Sequence, residues 1–203
     1  MSKTVDFIFD FASPNAYFAH RVIPGIAERT GASFNYIPCL LGGIFQMTGN
    51  QAPMLAFANV KGKLDYDMLE TRRFIEKHGL DRFKMNPHFP VNTLLLIRGA
   101  VAAREEGCLM PYIEAGVTGL WEQELNLDKS AHELLANTLD AAGLDGARIV
   151  ERTSEQPIKD ALLANTEAAV KRGAFGIPTF YVGDEMFFGK ERLGQLEEML
   201  LAG

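Results

Sequence analysis

The chain has 203 residues, of which 47% are hydrophobic and 23% are charged, so it can bury one sizeable core and lacks the composition of a disordered protein. A net charge of -6 without a basic cluster argues against nucleic acids and anionic membranes as main partners. Cys39 and Cys108 form no C-x-x-C pair, and the four histidines show no metal-ligand spacing. Neither a disulfide framework nor a metal site is therefore supported.

The N-terminal residues carry no signal-peptide pattern, and no segment approaches the roughly 18 consecutive apolar residues of a membrane span. We therefore expect a cytoplasmic protein in a reducing compartment. The two cysteines are interpreted as small buried apolar residues.

The N-terminal segment predicts a β-α-β unit. Residues 5–11 alternate apolar and acidic side chains and are rich in β-formers, as a strand requires. Apolar residues then recur at helical spacing after Ser13 and Pro14, which suit the N-cap and the first helical position, and Gly31 ends this helix. Residues 32–38 predict a second strand, so we expect parallel pairing through a right-handed crossover.

The middle of the chain, residues 54–163, lacks strand patterns and predicts helices. Helical spacing recurs over residues 64–78, 93–106, 111–121, 132–142 and 157–172. Residues 81–90 hold two prolines and predict an irregular loop.

The end of the chain returns to β structure. Residues 179–182 and 185–188 flank Gly183 and Asp184, which predicts a hairpin with a two-residue turn. Residues 191–200 predict a final helix. The whole order indicates an α/β fold in which an all-helical insertion separates two parts of one sheet.

A proline precedes this hairpin, within the sequence Gly176-Ile177-Pro178-Thr179. Proline donates no ladder hydrogen bond, so in sheets it is confined to strand starts, edges and bulges. We predict a cis bond between Ile177 and Pro178, which would turn the chain sharply and leave the Ile177 backbone free to pair with an extended peptide. Taken alone, the local sequence is explained more simply by a trans proline that opens a strand.

Ser13 stands where the first strand meets the first helix. A helix N-terminus has unpaired N–H groups and a partial positive charge, so a thiolate placed there has its pKa lowered. A serine hydroxyl at the cap can donate a hydrogen bond to that thiolate. Taken alone, the Ser13-Pro14 pair is more simply a helix cap.

These features in this order resemble the thioredoxin fold with a DsbA-type insertion. Redox members of that fold carry C-x-x-C at the turn, whereas residues 13–16 here contain no sulfur, so we exclude a dithiol oxidoreductase. A serine in this place resembles the kappa-class glutathione transferases and the 2-hydroxychromene-2-carboxylate isomerases. Counterparts to that family run along nearly the whole chain, at residues 10–17, 40–44, 48–53, 63–66, 89–93, 175–179 and 188–193.

The resemblance implies a thioredoxin-like domain of residues 1–50 and 165–203 and a helical insertion subdomain of residues 51–164. It implies glutathione as the cofactor, with Ser13 as the catalytic residue that holds its sulfur and Ile177 pairing with the cysteinyl unit beside cis Pro178. A closing motif would bind the γ-glutamyl end, with Glu191 taking the ammonium and Arg192 assisting: Phe188, Gly189, Lys190, Glu191 and Arg192. Further contacts to glutathione or to substrate are implied for Phe45, Asn50, Lys61 and Asn92.

Two positions depart from the family pattern. Glu191 stands where the family often has Asp, and Phe45 with Gln46 stands where the isomerase has a lysine for its substrate carboxylate. Our first hypothesis is a glutathione-dependent isomerase of the 2-hydroxychromene-2-carboxylate isomerase type, which acts on an aromatic small molecule by reversible thiolate addition. A kappa-type transferase that conjugates electrophiles and a non-catalytic thioredoxin-fold peptide binder stay open. We also expect a homodimer.

Overall fold

The computed structural model describes residues 3–202 and contains a mixed sheet. Its strands are β1 (Thr4–Phe9), β2 (Ser33–Pro38), β3 (Thr179–Val182) and β4 (Glu185–Phe188), in the spatial order β2-β1-β3-β4. β1 and β2 are parallel, and β3 is antiparallel to both β1 and β4. The first strand in sequence is therefore an inner strand, paired on one side with β2 and on the other with the hairpin.

The helices carry the numbers α1 to α10 in chain order. They are α1 (Pro14–Thr30), α2 (Leu41–Thr48), α3 (Pro53–Ala56), α4 (Lys63–His78), α5 (Leu94–Glu105), α6 (Leu109–Trp121), α7 (His132–Ala141), α8 (Gly146–Arg152), α9 (Gln156–Lys171) and α10 (Leu193–Ala202). A single 3-10 turn, Lys190–Arg192, leads into α10.

α1 begins and ends where the sequence predicts. The Ser13 side chain accepts a hydrogen bond from the Ala16 N–H, and Pro14 occupies the first helical position. Gly31 closes the helix with φ of 68°, a left-handed conformation that favours glycine. The Ser13 cap therefore sets where α1 starts after β1, and Gly31 sets where the chain leaves the helix for β2.

The core joins the sheet to the helices through aromatic side chains. Phe7 on β1 lies opposite Tyr36 and Phe180 in the strand register, with ring centroids 4.8 and 4.6 Å away. α1 packs with α6 and α10, whereas α9 packs with α2, α5 and β2. The insertion helices thus contact the thioredoxin-like unit at α1 and at the edge strand β2.

A charged cluster locks α1 to α6. Arg21 on α1 donates both to Glu114 at 2.7 Å and to Glu122 at 2.5 Å. The Tyr17 hydroxyl also donates to Glu122, at 3.0 Å, and His20 lies 3.1 Å from Glu114. The Glu122 side chain is only 5% exposed, so this contact is largely dry.

The sequence predicts the hairpin and α1 correctly but misses the short elements. The first strand ends at Phe9, two residues before the predicted end, because the chain turns at residues 10–12. The final helix starts as the 3-10 turn, and a second cis bond, Phe89–Pro90, lies in the irregular loop. The missed helices are α2, α3 and α8.

Helices α3 to α8 fill most of the interval predicted as an insertion, and the proposed boundary at residues 51–164 stays a prediction. Residues 1, 2 and 203, which that division assigns to the thioredoxin-like domain, lie outside the described residues. Within residues 3–202, none of the helices combines the length and apolar character needed to cross a bilayer. In the same range, no three His, Cys, Asp or Glu side chains converge as a metal site would require.

Candidate active site

Ser13 lies at the junction of β1 and α1 and is buried, with 6% of its surface exposed. Its Oγ donates to the Ile177 carbonyl at 2.9 Å and accepts from the Ala16 N–H at 3.3 Å. The hydroxyl therefore caps α1 and also joins it to the segment before β3, which is 164 positions away in sequence. The first helix and the segment before the hairpin form one site at the positive end of α1.

The predicted cis geometry of the Ile177–Pro178 bond is confirmed. Both residues are buried, and the Pro178 carbonyl accepts from the Gly189 N–H at 2.9 Å. The Thr179 hydroxyl donates to the Gly176 carbonyl at 2.7 Å. Within the part of the chain that the structure describes, the Ile177 N–H donates to no protein acceptor. The segment is held on both sides and keeps one backbone donor for a ligand.

The closing motif places an ion pair between the buried Lys190 and the half-exposed Glu191 beside this segment. The Lys190 side chain is 3% exposed, with Nζ 2.5 Å from Glu191 Oε1 and 5.5 Å from the centre of the Phe74 ring. Glu191 Oε2 lies over Gly189, 2.7 Å from where a Cβ would stand, and Gly189 has φ of 88°. Any larger residue at 189 would be strained in conformation and would displace the carboxylate. One oxygen of Glu191 is thus already paired with Lys190. The resemblance, by contrast, implies a carboxylate whose two oxygens are available to the ammonium of the ligand.

Two exposed aromatic rings flank the cis bond. Phe175 and Phe188 are 41% and 39% exposed, and their ring centroids are 4.4 Å apart. A Cβ on Gly176 would stand 2.9 Å from the Phe188 ring, so the glycine lets this ring lie close to the backbone. Arg192, which the resemblance assigns to the same motif, is exposed and forms no ion pair with any residue in the range 3–202. The rings offer an apolar surface next to Ile177.

The four residues implied as further contacts lie mostly on the surface. Phe45 is half-buried on α2, and Asn50 is exposed just after the end of that helix. Lys61 is exposed in the loop before α4. Asn92 is exposed, and its Oδ1 accepts from the Leu94 N–H at 3.2 Å, at the start of α5. No hydrogen bond joins any of the four to the serine hydroxyl.

Asp10 is the site residue that sequence reasoning missed. It is fully buried at the end of β1, and its Oδ1 accepts from the Thr93 hydroxyl at 2.7 Å and from the Ala12 N–H at 3.1 Å. Its Oδ2 accepts from the Leu41 N–H at 2.7 Å. Burial raises the pKa of Asp10 to about 6, although these three donors oppose the shift. One carboxylate therefore ties the turn that carries the serine to the starts of α2 and α5. An acidic residue directly after an apolar strand was the available signal.

The helical insertion packs directly on that turn. Trp121 Nε1 donates to the Phe11 carbonyl at 3.0 Å, and a Cβ on Gly116 would stand 2.5 Å from the Phe11 ring. The rings of Phe83 and Phe89 lie 5.9 and 6.0 Å from Trp121. The segment between β1 and α1 is therefore fixed from the sheet side by Asp10 and from the insertion side by α6.

The cysteines are not placed for chemistry. Cys39 is buried, its Sγ donates to the Asn165 carbonyl at 3.5 Å, and burial raises the pKa of its thiol to about 12. Burial also raises the pKa of the Cys108 thiol. Both thiols are therefore protonated near neutral pH, and the interpretation of Cys39 as a small buried residue is confirmed.

Comparison with known proteins supports the same family along the whole chain. The 2-hydroxychromene-2-carboxylate isomerase of Pseudomonas putida is 27% identical and covers 97% of this chain and 93% of its own. Glutathione S-transferase kappa 1 of Rattus norvegicus is 23% identical and covers 98% of this chain and 91% of its own. A solved structure of a 2-hydroxychromene-2-carboxylate isomerase superimposes with a TM-score of 0.82 at 27% identity, over 97% of this chain and 94% of that one.

These relatives confirm the resemblance seen in the sequence, and the superposition confirms the thioredoxin-like fold with a DsbA-type helical insertion. The DSBA-like thioredoxin domain matches residues 4–201. The chain belongs to the DSBA-like thioredoxin domain family.

Proposed function

We propose that this protein is a glutathione-dependent enzyme that isomerises an aromatic small molecule, with Ser13 facing the sulfur. One observation carries the proposal: the Ser13 hydroxyl meets the Ile177 carbonyl at 2.9 Å, at the N-terminus of a 17-residue helix. That arrangement puts a hydroxyl donor, a backbone carbonyl and a partial positive charge around one point. The hydroxyl donor and the helix N-terminus would both stabilise a thiolate placed there, and the carbonyl would accept from a ligand N–H.

The residues present fit a cysteinyl peptide. Ile177 offers an N–H that is unpaired among the described residues and a carbonyl, the pair of groups that an extended peptide backbone needs. The Lys190–Glu191 pair would take the charged γ-glutamyl end, with Glu191 Oε2 toward the ammonium. Because Glu191 Oε1 is occupied by Lys190, we expect this contact to add less affinity than a free carboxylate would.

Ser13 would change hydrogen-bond partner when the site is filled. Its hydroxyl now donates to the Ile177 carbonyl. If a ligand N–H took over this carbonyl as its acceptor, the Ser13 hydroxyl would be free to donate to the sulfur. Bound glutathione supplies a thiolate that adds reversibly to a double bond, allowing rotation before it leaves. The dipole of α1 favours the negative sulfur, and the buried Asp10 contacts keep the turn in place. The hydroxyl contributes at most a few kcal/mol to thiolate stability.

Two further features support an aromatic substrate. The exposed Phe175 and Phe188 rings provide a stacking surface beside the cis bond. The similar protein from Pseudomonas putida is named for its action on a hydroxychromene carboxylate. The alternative of a kappa-type transferase rests on the rat relative and uses the same residues, differing only in whether the adduct is released. A cytoplasmic homodimer belongs to the same proposal, and sedimentation equilibrium tests its dimeric state.

The test is glutathione binding by calorimetry, with the pKa of the bound thiol read from its ultraviolet thiolate absorbance. We expect Ser13→Ala to raise that pKa and to slow turnover of an aromatic test substrate. Ser33→Ala, which removes an exposed hydroxyl on β2, is the matched control and should change neither. An unchanged thiol pKa in Ser13→Ala would remove the proposed role of Ser13. Binding of extended peptides without binding of glutathione would favour the non-catalytic binder.

A further inference from the structure

A cavity lies in the helical insertion, away from the serine site. Its volume is about 130 Å³, and it opens where the first turns of α5 and α9, the loop before α7 and the end of α8 meet. Pockets for whole drug-sized ligands start at roughly 300 Å³, so this cavity suits one small chemical group. Its polar lining consists of Arg98, Lys129, His132, Thr153, Ser154 and Lys159.

The ionisable side chains of this lining are all basic. Within residues 3–202, Arg98, Lys129 and Lys159 form no ion pair, although the chain as a whole has a net charge of -6. The neighbouring Arg152 shows the contrast, because it pairs with Glu106 at 2.8 Å and with Glu155 at 3.2 Å. Three unpaired cations around a concave surface repel one another, and an anion between them would relieve that repulsion.

Three acidic residues within four positions of these lysines in sequence are engaged elsewhere. Asp128, next to Lys129, accepts from the Ser130 N–H at 2.8 Å. Asp160, next to Lys159, accepts from the Gln156 side chain at 2.7 Å. The Glu155 carboxylate is the one bonded to Arg152. Rearranging these local acids would therefore break existing hydrogen bonds, so they are poor internal counterions for the cavity.

Arg98 provides an observation independent of net charge. Its Nε is buried and has no hydrogen-bond partner among the described residues. A buried polar atom left without a partner is costly, and a guanidinium recognises oxyanions through paired N–H donors. An oxyanion in the cavity would pair with the two Nη groups of Arg98, which donate to no described residue.

The helix starts add to the positive potential. α5, α7 and α9 have 12, 10 and 16 residues, and none of their N-cap residues makes a side-chain capping hydrogen bond. The cavity lining includes Leu94 and His132, the first residues of α5 and α7, and Lys159 in the first turn of α9, although the Leu94 N–H already donates to Asn92 Oδ1. Helix N-termini favour anions, so the backbone and the side chains attract the same kind of ligand.

We propose that this cavity binds a small oxyanionic group, a phosphate or a carboxylate, at a site separate from the serine site. The cationic side chains supply the charge, Arg98 the paired donors, and the helix starts the backbone field. With a volume of about 130 Å³, the cavity accommodates one small oxyanionic group and not a whole drug-sized ligand.

Titration of the full chain with inorganic phosphate, followed by NMR in dilute buffer free of other oxyanions, tests the proposal. We expect saturable shifts at the start of α5 and α9, and a roughly tenfold or greater loss of affinity in R98Q/K159Q. R72Q/K171Q removes the same charges from exposed positions off the cavity and should bind as the wild type does. A parallel titration with acetate distinguishes the two groups, since the tighter ligand names the one recognised.

Two results would overturn the proposal. One is non-saturable binding of both phosphate and acetate, and the other is an equal loss of affinity in R72Q/K171Q, which would mean a general charge effect. Circular dichroism checks that R98Q/K159Q is folded. If it is not, K129Q/K159Q leaves the half-buried Arg98 intact and is expected to show the same loss.

Discussion

Carboxylates hold α1 in two regions, and the two regions differ in the donors that meet the carboxylates. At the serine turn, Asp10 is fully buried and is met only by neutral donors from a hydroxyl and two backbone N–H groups. At the α1–α6 contact, Glu114 and Glu122 are met by guanidinium and imidazole groups. Neutral donors orient a carboxylate without placing a cation against it, and the positive end of α1 lies at the same turn.

The two regions therefore respond to protons in opposite senses. Burial raises the pKa of Asp10 to about 6, whereas hydrogen bonds from His20 and Arg21 lower the pKa of Glu114 to about 2. A raised carboxyl pKa means that folding is favoured by protonation, and a lowered one means that folding is favoured by ionisation. Ionisation of Asp10 at the site therefore disfavours folding, whereas ionisation of Glu114 in the scaffold favours it.

The largest effect should come from removing the Asp10 carboxylate. Asp10→Ala leaves three buried donors, from Ala12, Leu41 and Thr93, without their acceptor, and we expect the free energy of unfolding to fall by roughly 4 kcal/mol. Urea denaturation measures this. Asp160→Ala, at an exposed aspartate, should stay within about 0.5 kcal/mol of the wild type. Equal losses in the two variants would show that the Asp10 contacts contribute little.

The next effect is the pH dependence. Since the pKa of Asp10 is raised from 3.8 to about 6, its contribution to stability is fully present below about pH 4 and is lost as the pH rises through 6. The upper bound is about 3 kcal/mol, at roughly 1.4 kcal/mol for each pKa unit. Unfolding free energies measured across this window should decline in the wild type and much less in Asp10→Asn.

Glu114 gives the opposing slope for the same experiment. Its stabilisation is present above 4.5 and is lost as the pH falls toward 2, so Glu114→Gln should flatten the acid side of the profile. Identical pH profiles for Asp10→Asn and the wild type would refute the difference between the two regions.

The smallest effect tests the scaffold contact. Glu122→Gln keeps the shape of the side chain but removes the charge that meets Arg21 and Arg82, and we expect a loss of roughly 2 kcal/mol in unfolding free energy. Glu124→Gln is the matched control, because Glu124 is less buried and lies 3.5 Å from Lys84, and its loss should stay below about 1 kcal/mol. Comparable losses would mean that burial does not distinguish these ion pairs.

The sequence predicts most accurately those elements whose ends carry a capping or turn-forming residue. Ser13, Pro14 and Gly31 bound α1, and Gly183 with Asp184 forms the hairpin turn, so both were found at or near their observed limits. α2 was missed because two glycines stand in its first turn and its N-cap, Leu40, offers no capping side chain. α8 has only 7 residues, too few for a periodic pattern to emerge.

The site was only partly predictable, for tertiary reasons. The sequence places Ser13 and the Ile177-Pro178 step at the ends of predicted elements that a known fold brings together. The role of Asp10 depends on donors at three separated positions, which no local pattern joins. The pairing of Lys190 with Glu191 depends on the directions of the two side chains, which adjacency in sequence does not determine.

The strand order has a consequence for how the nascent chain assembles. β1 and its neighbour β2 both lie within the first 38 residues, but the other neighbour of β1, β3, is synthesised only from Thr179 onward. Until then β1 presents an unpaired edge that includes Phe7 and Ile8, and such edges recruit strands from other chains. A ribosome-bound intermediate therefore exposes the edge on which the second half of the site must form. A chain that ends before the hairpin would keep this edge exposed, and we expect it to self-associate through β1.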